Sequence, residues 1–182
     1  MITLTKLNAT LGLTLKELDR HGFLTDQVWR TDVFLSPVSW EAYGWQYYRG
    51  SGHIHIPAVV ATDLLRRLFG RQSAVTLRDV LRHEYGHTVA HHHPGLMRSN
   101  RFRNAFWAAH DSSDLRPWEY DPELFVSGYA ASHPREDFAE TFMLFLKYKG
   151  NIPRCHNTPA IRAKWNFINL LGRTLARGRR KW

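Results

Sequence analysis

The segment His83-Glu84-Tyr85-Gly86-His87 constrains the fold of this chain more than any other part of the sequence. Two histidines four residues apart share one face in an α-helix, where both imidazoles can reach one metal ion. The flanking residues repeat at helical spacing, and the helix is predicted to end before Pro94. Zinc lowers the pKa of a bound water to about 7. The segment therefore predicts two zinc ligands, His83 and His87, and a general base, Glu84, whereas two solvated histidines are the simpler alternative.

A catalytic zinc site needs a third protein ligand, and the sequence offers two candidates. Glu136 and Glu140 lie four residues apart on one face of a second predicted helix, which spans residues 134–149. Carboxylates that point toward a core are costly unless they meet a cation or hydrogen-bond donors, and this cost would be offset if one of them bound zinc and the other held a histidine N–H. His93 is the other candidate, at the third histidine of the pattern H-E-x-x-H-x-x-G-x-x-H, but Ala90 replaces the glycine of that pattern. Glu136 is the preferred ligand.

These two helical motifs together resemble the gluzincin metallopeptidases, and in particular the group of anthrax lethal factor and the Pro-Pro endopeptidases. In that group a tyrosine lies seven residues before the ligand glutamate and a second glutamate lies four residues after it. Tyr129 and Glu140 occupy these positions relative to Glu136. Asp137 departs from the pattern, because an apolar or aromatic residue is expected there. The resemblance covers roughly residues 75–146, and the first 50 residues are not part of it.

The resemblance implies a zinc-dependent endopeptidase that binds one zinc ion per chain. The zinc ligands would be His83, His87 and Glu136. Glu84 would take a proton from the metal-activated water and deliver it to the leaving amine. Tyr129 would donate its hydroxyl to the developing oxyanion, and Glu140 would orient one of the histidines.

The segment from Gly52 to Ile56 alternates in polarity and predicts a strand with His53 and His55 on one face. In zincins an edge strand before the H-E-x-x-H helix pairs with an extended substrate. We therefore expect Gly52, His53, Ile54 and His55 to bind the peptide by strand addition. A structural role for the two histidines is the alternative.

Length and composition favour one globular domain. The chain has 182 residues, of which 43% are hydrophobic, and a single cysteine, which excludes an internal disulfide framework and a cysteine-based zinc site. We expect one zincin-like α+β catalytic domain over residues 1–182, mainly helical, with a small sheet whose edge strand lines the active-site cleft. Residues 173–182 would form a basic tail. Near the start, Thr14-Leu15-Lys16-Glu17 has the form of a capping box and predicts a short helix that ends near Gly22.

The excess of 25 basic over 16 acidic residues gives a formal charge of +9, which permits nucleic-acid binding without requiring it. A peptide or protein substrate is the expected partner, and nucleic acid bound through the basic C-terminus is not favoured. No apolar run approaches the ~20 residues that span a bilayer. The first residues lack the order of a cleavable signal peptide. These features favour a protein that is cytoplasmic as synthesised or exported without such a signal.

Two other functions fit parts of the sequence. One is a metzincin-like or DNA-associated protease that uses His93 as the third ligand. The other is a non-catalytic zinc-binding interaction module that acts through the aromatic cluster at residues 40–48 and the basic C-terminus. A binding module has no need for Glu84 and Tyr129 beside three metal ligands, which disfavours the second alternative.

Overall fold

The computed structural model of the protein describes residues 2–37, 44–48, 51–58, 76–112 and 119–179. Over these ranges the fold is mixed α+β and mostly helical, with a small sheet, as predicted. The helices are α1 (Leu4–Arg20), α2 (Asp26–Trp29), α3 (Leu77–His92), α4 (Pro94–Met97), α5 (Asn100–Phe106), α6 (Pro134–Lys147) and α7 (Pro159–Arg179). Short 3-10 turns span Ala130–Ser132 and Arg154–His156, and the strands are β1 (Asp32–Ser36), β2 (Trp45–Tyr48) and β3 (Ser51–Pro57).

Some predicted features lie wholly or partly outside these ranges. The aromatic cluster at residues 40–48 is described only from residue 44, and the basic tail only as far as residue 179. Among the helices of the described ranges, none combines the length and the apolar character needed to cross a bilayer.

The strand order of the sheet is β1-β3-β2, which places β3 in the middle. β3 pairs in parallel with β1 and antiparallel with β2. The prediction that Gly52–Ile56 forms an edge strand is therefore wrong, because neighbouring strands take the backbone groups on both of its sides. The strand itself is confirmed, as is its alternation: Ile54 and Ile56 are buried in the core, whereas His53 and His55 are half-buried on the other face.

The first helix begins earlier than its capping pattern predicted. Thr3 is the N-cap residue of α1, and its side chain accepts a hydrogen bond of 3.2 Å from the backbone N–H of Lys6. Thr14 lies in the interior of this helix, where its hydroxyl donates to the carbonyl oxygen of Thr10 at 3.0 Å. The predicted start near Thr14 is thus wrong, whereas the predicted end near Gly22 is close to Arg20.

Helices α3 and α6 pack against each other at a point where only small residues fit. α3 starts with a capping box, in which Thr76 and Asp79 each accept a backbone N–H of the other at 3.2 Å. α6 starts with Pro134 in its first turn. At Gly86 a Cβ atom would lie 3.1 Å from the Cα atom of Ala139, so glycine permits this close approach. The crossing brings the motif-bearing faces of the two helices together.

Buried charges connect α3 to α1 and α6. The guanidinium of Arg82 donates to the carboxylate of Glu17 at 2.7 and 2.9 Å and to that of Asp79 at 2.7 Å. Lys147 of α6 also reaches Asp79, at 3.1 Å. All four groups are thereby paired, which offsets much of the cost of removing their charges from water.

Asp137, the residue that departs from the family pattern, has a buried partner in α7. Lys164 is 0% exposed, and its Nζ lies 2.7 Å from a carboxylate oxygen of Asp137. The same ammonium donates to the carbonyl oxygen of Leu124 at 2.6 Å and lies 4.4 Å from the ring centroid of Phe125. This lysine explains how a carboxylate is accommodated in the core, and it joins α6 and α7 to the segment that leads to Tyr129.

Candidate metal centre

Three potential ligand atoms from α3 and α6 form a nearly equal-sided triangle. Nε2 of His87 lies 3.1 Å from Nε2 of His83 and 3.2 Å from Oε2 of Glu136, and the third side measures 3.3 Å. A tetrahedral zinc ion with bonds of about 2.0–2.1 Å has ligand atoms about 3.3 Å apart. The donor set and its spacing therefore fit one zinc ion, and the structure brings together the three residues that the sequence nominated.

Glu140 fixes which nitrogen of His83 faces this triangle. Oε1 of Glu140 lies 2.9 Å from Nδ1 of His83, and both residues are buried. An ionised carboxylate only accepts hydrogen bonds, so Nδ1 carries the proton in the neutral ring and Nε2 keeps its lone pair. This is the orienting contact that was predicted for Glu140.

The electrostatics of the site favour a positive charge among its carboxylates. Burial lowers the pKa of His83, but hydrogen bonds to Glu136 and Glu140 outweigh it and raise that pKa to about 10. Burial raises the pKa of Glu136, but hydrogen bonds to His83 and His87 outweigh it and hold that pKa well below its usual range. The two pKa shifts show that the site favours a positive charge next to its carboxylates. A proton on His83 or a divalent cation bound to the cluster can supply that charge.

Glu84 is buried beside the triangle and is held by the sheet. Its Oε2 accepts a hydrogen bond of 2.7 Å from the backbone N–H of Trp45, in strand β2. β2 packs against α3 and is an edge strand of the described sheet. The backbone N–H of His55 pairs with the carbonyl oxygen of Gly44 at 3.3 Å, so by antiparallel alternation the N–H and C=O groups of Trp45 point away from β3. Thus, within the described sheet, β2 rather than β3 is the edge strand next to Glu84.

The side chain of Trp45 explains why residue 52 is a glycine. A Cβ atom at Gly52 would fall within the space that the indole ring occupies. The same ring lies 5.4 Å from the ring centroid of His91 and 5.8 Å from that of His92. Trp45, the first residue of β2, is therefore packed between Gly52 of β3 and two histidines at the end of α3, His91 and His92.

Tyr129 lies beside the metal-ligand cluster. Its ring centroid is 5.9 Å from that of His83. Burial, the charge of Glu136 and a hydrogen bond to Glu136 all raise the pKa of Tyr129, so its hydroxyl stays protonated at neutral pH. The predicted hydrogen-bond donor is thus beside the predicted ligands.

Three other histidines do not join the site. His93 is the C-cap residue of α3, and the cluster of the described residues that could hold a metal ion contains Glu136 and not His93. His53 and His55 flank Phe34 on the sheet face opposite Ile54, with ring centroids 5.4 and 5.3 Å from it. The two histidines expected to bind the peptide thus lie on the sheet face away from α3, whereas Trp45 lies on the face that packs against α3.

Two residues of the site, Trp45 and Ser127, were not predicted from the sequence. Ser127 donates a hydrogen bond of 2.7 Å to Oε2 of Glu140. Its position two residues before Tyr129 is the one signal that could have identified it. No local pattern marks Trp45, because its contact with Glu84 spans 39 residues.

Comparison with known proteins returns no match for this chain. No family model matches it, and neither a curated protein nor a solved structure does. The geometry of the described residues is therefore the basis for a function.

Proposed function

We propose that the protein is a zinc-dependent endopeptidase of zincin-like fold. The observation that carries the proposal is the triangle of His83, His87 and Glu136 with a carboxylate and a phenol beside it. A zinc-storage site or a structural zinc site needs metal ligands. It does not need a buried base such as Glu84 or a protonated phenol such as Tyr129 next to them. The full set is that of an enzyme that hydrolyses an acyl bond.

Each residue has a defined part in the proposed reaction. Zinc, when bound, supplies Lewis acidity and makes hydroxide accessible near neutral pH. Glu84 accepts a proton from the attacking water and returns it to the leaving amine, while the N–H of Trp45 keeps its carboxylate in one orientation. The hydroxyl of Tyr129 donates to the oxyanion that develops on the scissile carbonyl.

The position of β2 at an edge of the described sheet supports an extended peptide as the substrate. The N–H of Trp45 is taken by Glu84, but the carbonyl oxygen of Trp45 points away from β3 and can accept a hydrogen bond from the main chain of a peptide that lies next to Glu84. A peptide bound in this manner continues on both sides of the scissile bond, which favours an endopeptidase over an exopeptidase. The role of strand addition, first expected for β3, is thus proposed for β2.

The proposal is tested by mass-spectrometric profiling of cleavage in an unbiased peptide library. The zinc-loaded wild-type protein is compared with Glu84→Gln and with Glu123→Gln, which changes an exposed glutamate outside the site. We expect the wild type and Glu123→Gln to cut the same peptides, and Glu84→Gln to bind one zinc per chain without cutting. Cleavage by Glu84→Gln at the wild-type rate, or a wild type that binds no zinc, would refute the proposal.

A further inference from the structure

The hydroxyl of Ser127 connects the loop that carries Tyr129 to the residue that orients His83. Oγ of Ser127 donates to Oε2 of Glu140 at 2.7 Å and accepts the backbone N–H of Ala130 at 3.0 Å. The other carboxylate oxygen of Glu140 holds Nδ1 of His83 at 2.9 Å. Both oxygens of this carboxylate are thus engaged, one by a ligand histidine and one by the loop.

These contacts form a closed circuit that includes one metal-ligand candidate, His83. From His83 the circuit passes through Glu140 and Ser127, follows the backbone to Tyr129, and returns across the 5.9 Å between the tyrosine and histidine rings. From the geometry we infer that Ser127 is a positioning residue, which couples ion binding at His83 to the placement of Tyr129. The inference rests on the metal-binding part of the proposed function and does not require hydrolysis.

The physical basis is the cost of leaving a buried carboxylate oxygen without a donor. Glu140 is 1% exposed, so bulk water does not solvate the carboxylate oxygen that the hydroxyl of Ser127 holds. Hydrogen bonds to an ionised group are short and stronger than neutral ones, and 2.7 Å lies in that range. Without the hydroxyl, the carboxylate would gain by turning toward other donors, and its hold on His83 would weaken. Coupling of this kind is reciprocal: if the hydroxyl strengthens ion binding, ion binding orders the loop.

A purely local role for Ser127 makes a different prediction, since its hydroxyl also accepts the N–H of Ala130 within the loop. That contact alone would affect the stability of the turn and leave ion affinity unchanged. Ser132 provides a matched control in the same loop, because its exposed hydroxyl donates to the carbonyl oxygen of Tyr129 at 2.7 Å and has no bond to Glu140.

The first experiment measures the zinc affinity of the full chain by competition with a chromophoric chelator. Ser127→Ala is expected to weaken zinc binding roughly tenfold, within the range for residues that support a metal ligand. Ser127→Thr, which keeps a hydroxyl, and Ser132→Ala should bind like the wild type. In a Glu140→Gln background the further loss from Ser127→Ala should shrink to about twofold or less, since the two side chains act through one contact. An unchanged affinity in Ser127→Ala, or an equal loss in both backgrounds, would overturn the inference.

The second experiment needs no variant and therefore stands even if Ser127→Ala fails to fold. Hydrogen exchange is followed at the amide of Ala130 with and without added zinc. We expect zinc to slow this exchange, because the amide donates to the hydroxyl that Glu140 fixes. If zinc binds and the amide exchanges at the same rate, the coupling is refuted while the metal site stands. Protection of Ala130 in a protein that cuts no peptide would support the coupling and count against the endopeptidase. A wild type that binds no zinc would refute both.

Discussion

The backbone N–H of Trp45 donates a hydrogen bond of 2.7 Å to Oε2 of Glu84, across a separation of 39 residues. The bond joins the edge strand β2 to the proposed general base. A buried carboxylate with one oxygen on a fixed backbone donor has little freedom to rotate, so the position of the strand sets the direction of the second oxygen. Activity should therefore respond to changes that displace β2 without touching a ligand.

Gly52→Ala is such a change. The added Cβ atom would collide with the indole of Trp45, so β2 must shift and carry its N–H away from Glu84. We expect turnover to fall about tenfold or more, as small displacements of catalytic groups do, with zinc affinity nearly unchanged. Steady-state kinetics and zinc titration check this. Gly95→Ala is the control, since a Cβ atom at that exposed position has no neighbour within 4 Å. Equal activity in Gly52→Ala and Gly95→Ala would show that the strand does not position the base.

The choice of third ligand is decided by comparing Glu136→Ala with His93→Ala. Glu136 supplies one corner of the ligand triangle, whereas His93 caps α3 outside the cluster. Zinc binding should weaken by at least two orders of magnitude in Glu136→Ala, because a tetrahedral site loses one of its three protein donors. Equilibrium dialysis with metal analysis gives both affinities. His93→Ala should keep one zinc per chain. Loss of zinc from His93→Ala would instead support His93 as the third ligand.

Tyr129→Phe removes the proposed oxyanion donor together with its hydrogen bond to Glu136, and it keeps the ring. We expect kcat to fall roughly 100-fold, as when one such donor is deleted, while KM stays close to the wild-type value. The measurement is a full rate-against-concentration curve on a peptide identified by the library. A change in KM alone would instead assign the hydroxyl to substrate binding in the ground state.

The buried charges at the start of α3 predict a dependence of stability on pH. Burial raises the pKa of Asp79, but contacts with Lys147 and Thr76 outweigh it and leave the pKa below its ordinary value near 4. A carboxyl group with a depressed folded-state pKa stabilises the fold above that ordinary value, and the contribution is lost as the pH falls through the folded-state pKa. Urea unfolding should therefore show a loss of stability below about pH 4.

The Asp79→Asn variant isolates this contribution. At pH 7 it should be less stable by about 3 kcal/mol, because Arg82 loses one of its buried partners. Its stability should also fall less steeply in acid than that of the wild type. Asp111→Asn is the control, since it breaks only an exposed pair with Arg98 and should have a small effect. Parallel acid profiles for Asp79→Asn and the wild type would mean that another group governs the acid transition.

Local sequence patterns predicted the parts of the site that lie within single helices. The caps at Thr76 and Pro134 and the spacings of the histidines and glutamates act over a few residues, so α3, α6 and their inward faces could be derived. The capping pattern at Thr14 was misleading because Thr3 caps the helix, and Glu17, the fourth residue of the pattern, is instead held by Arg82, 65 residues away. Rules for helix capping consider only residues within a few positions of one another, so they cannot include a partner this distant in the sequence.

Nonlocal pairing decided what the sequence could not predict. Alternation identified β3 as a strand, but which side of it β2 would occupy depends on backbone hydrogen bonds that every residue type except proline can make. The donor for Glu84 is likewise a backbone group, and no side-chain pattern reports it. The sequence also did not reveal that Asp137 would pair with Lys164, the buried lysine of α7.

The pairing of Arg82 with Glu17 has a consequence for how far the chain can be shortened. The stretch with the family pattern, roughly residues 75–146, contains every proposed ligand, but α1 supplies the carboxylate that neutralises the residue next to His83. Cut out alone, that stretch would carry an underpaired guanidinium and an exposed apolar side of α3. We therefore expect that the motif region does not fold on its own, and that the N-terminal helix, which contributes no proposed ligand, is needed for the candidate metal centre to form.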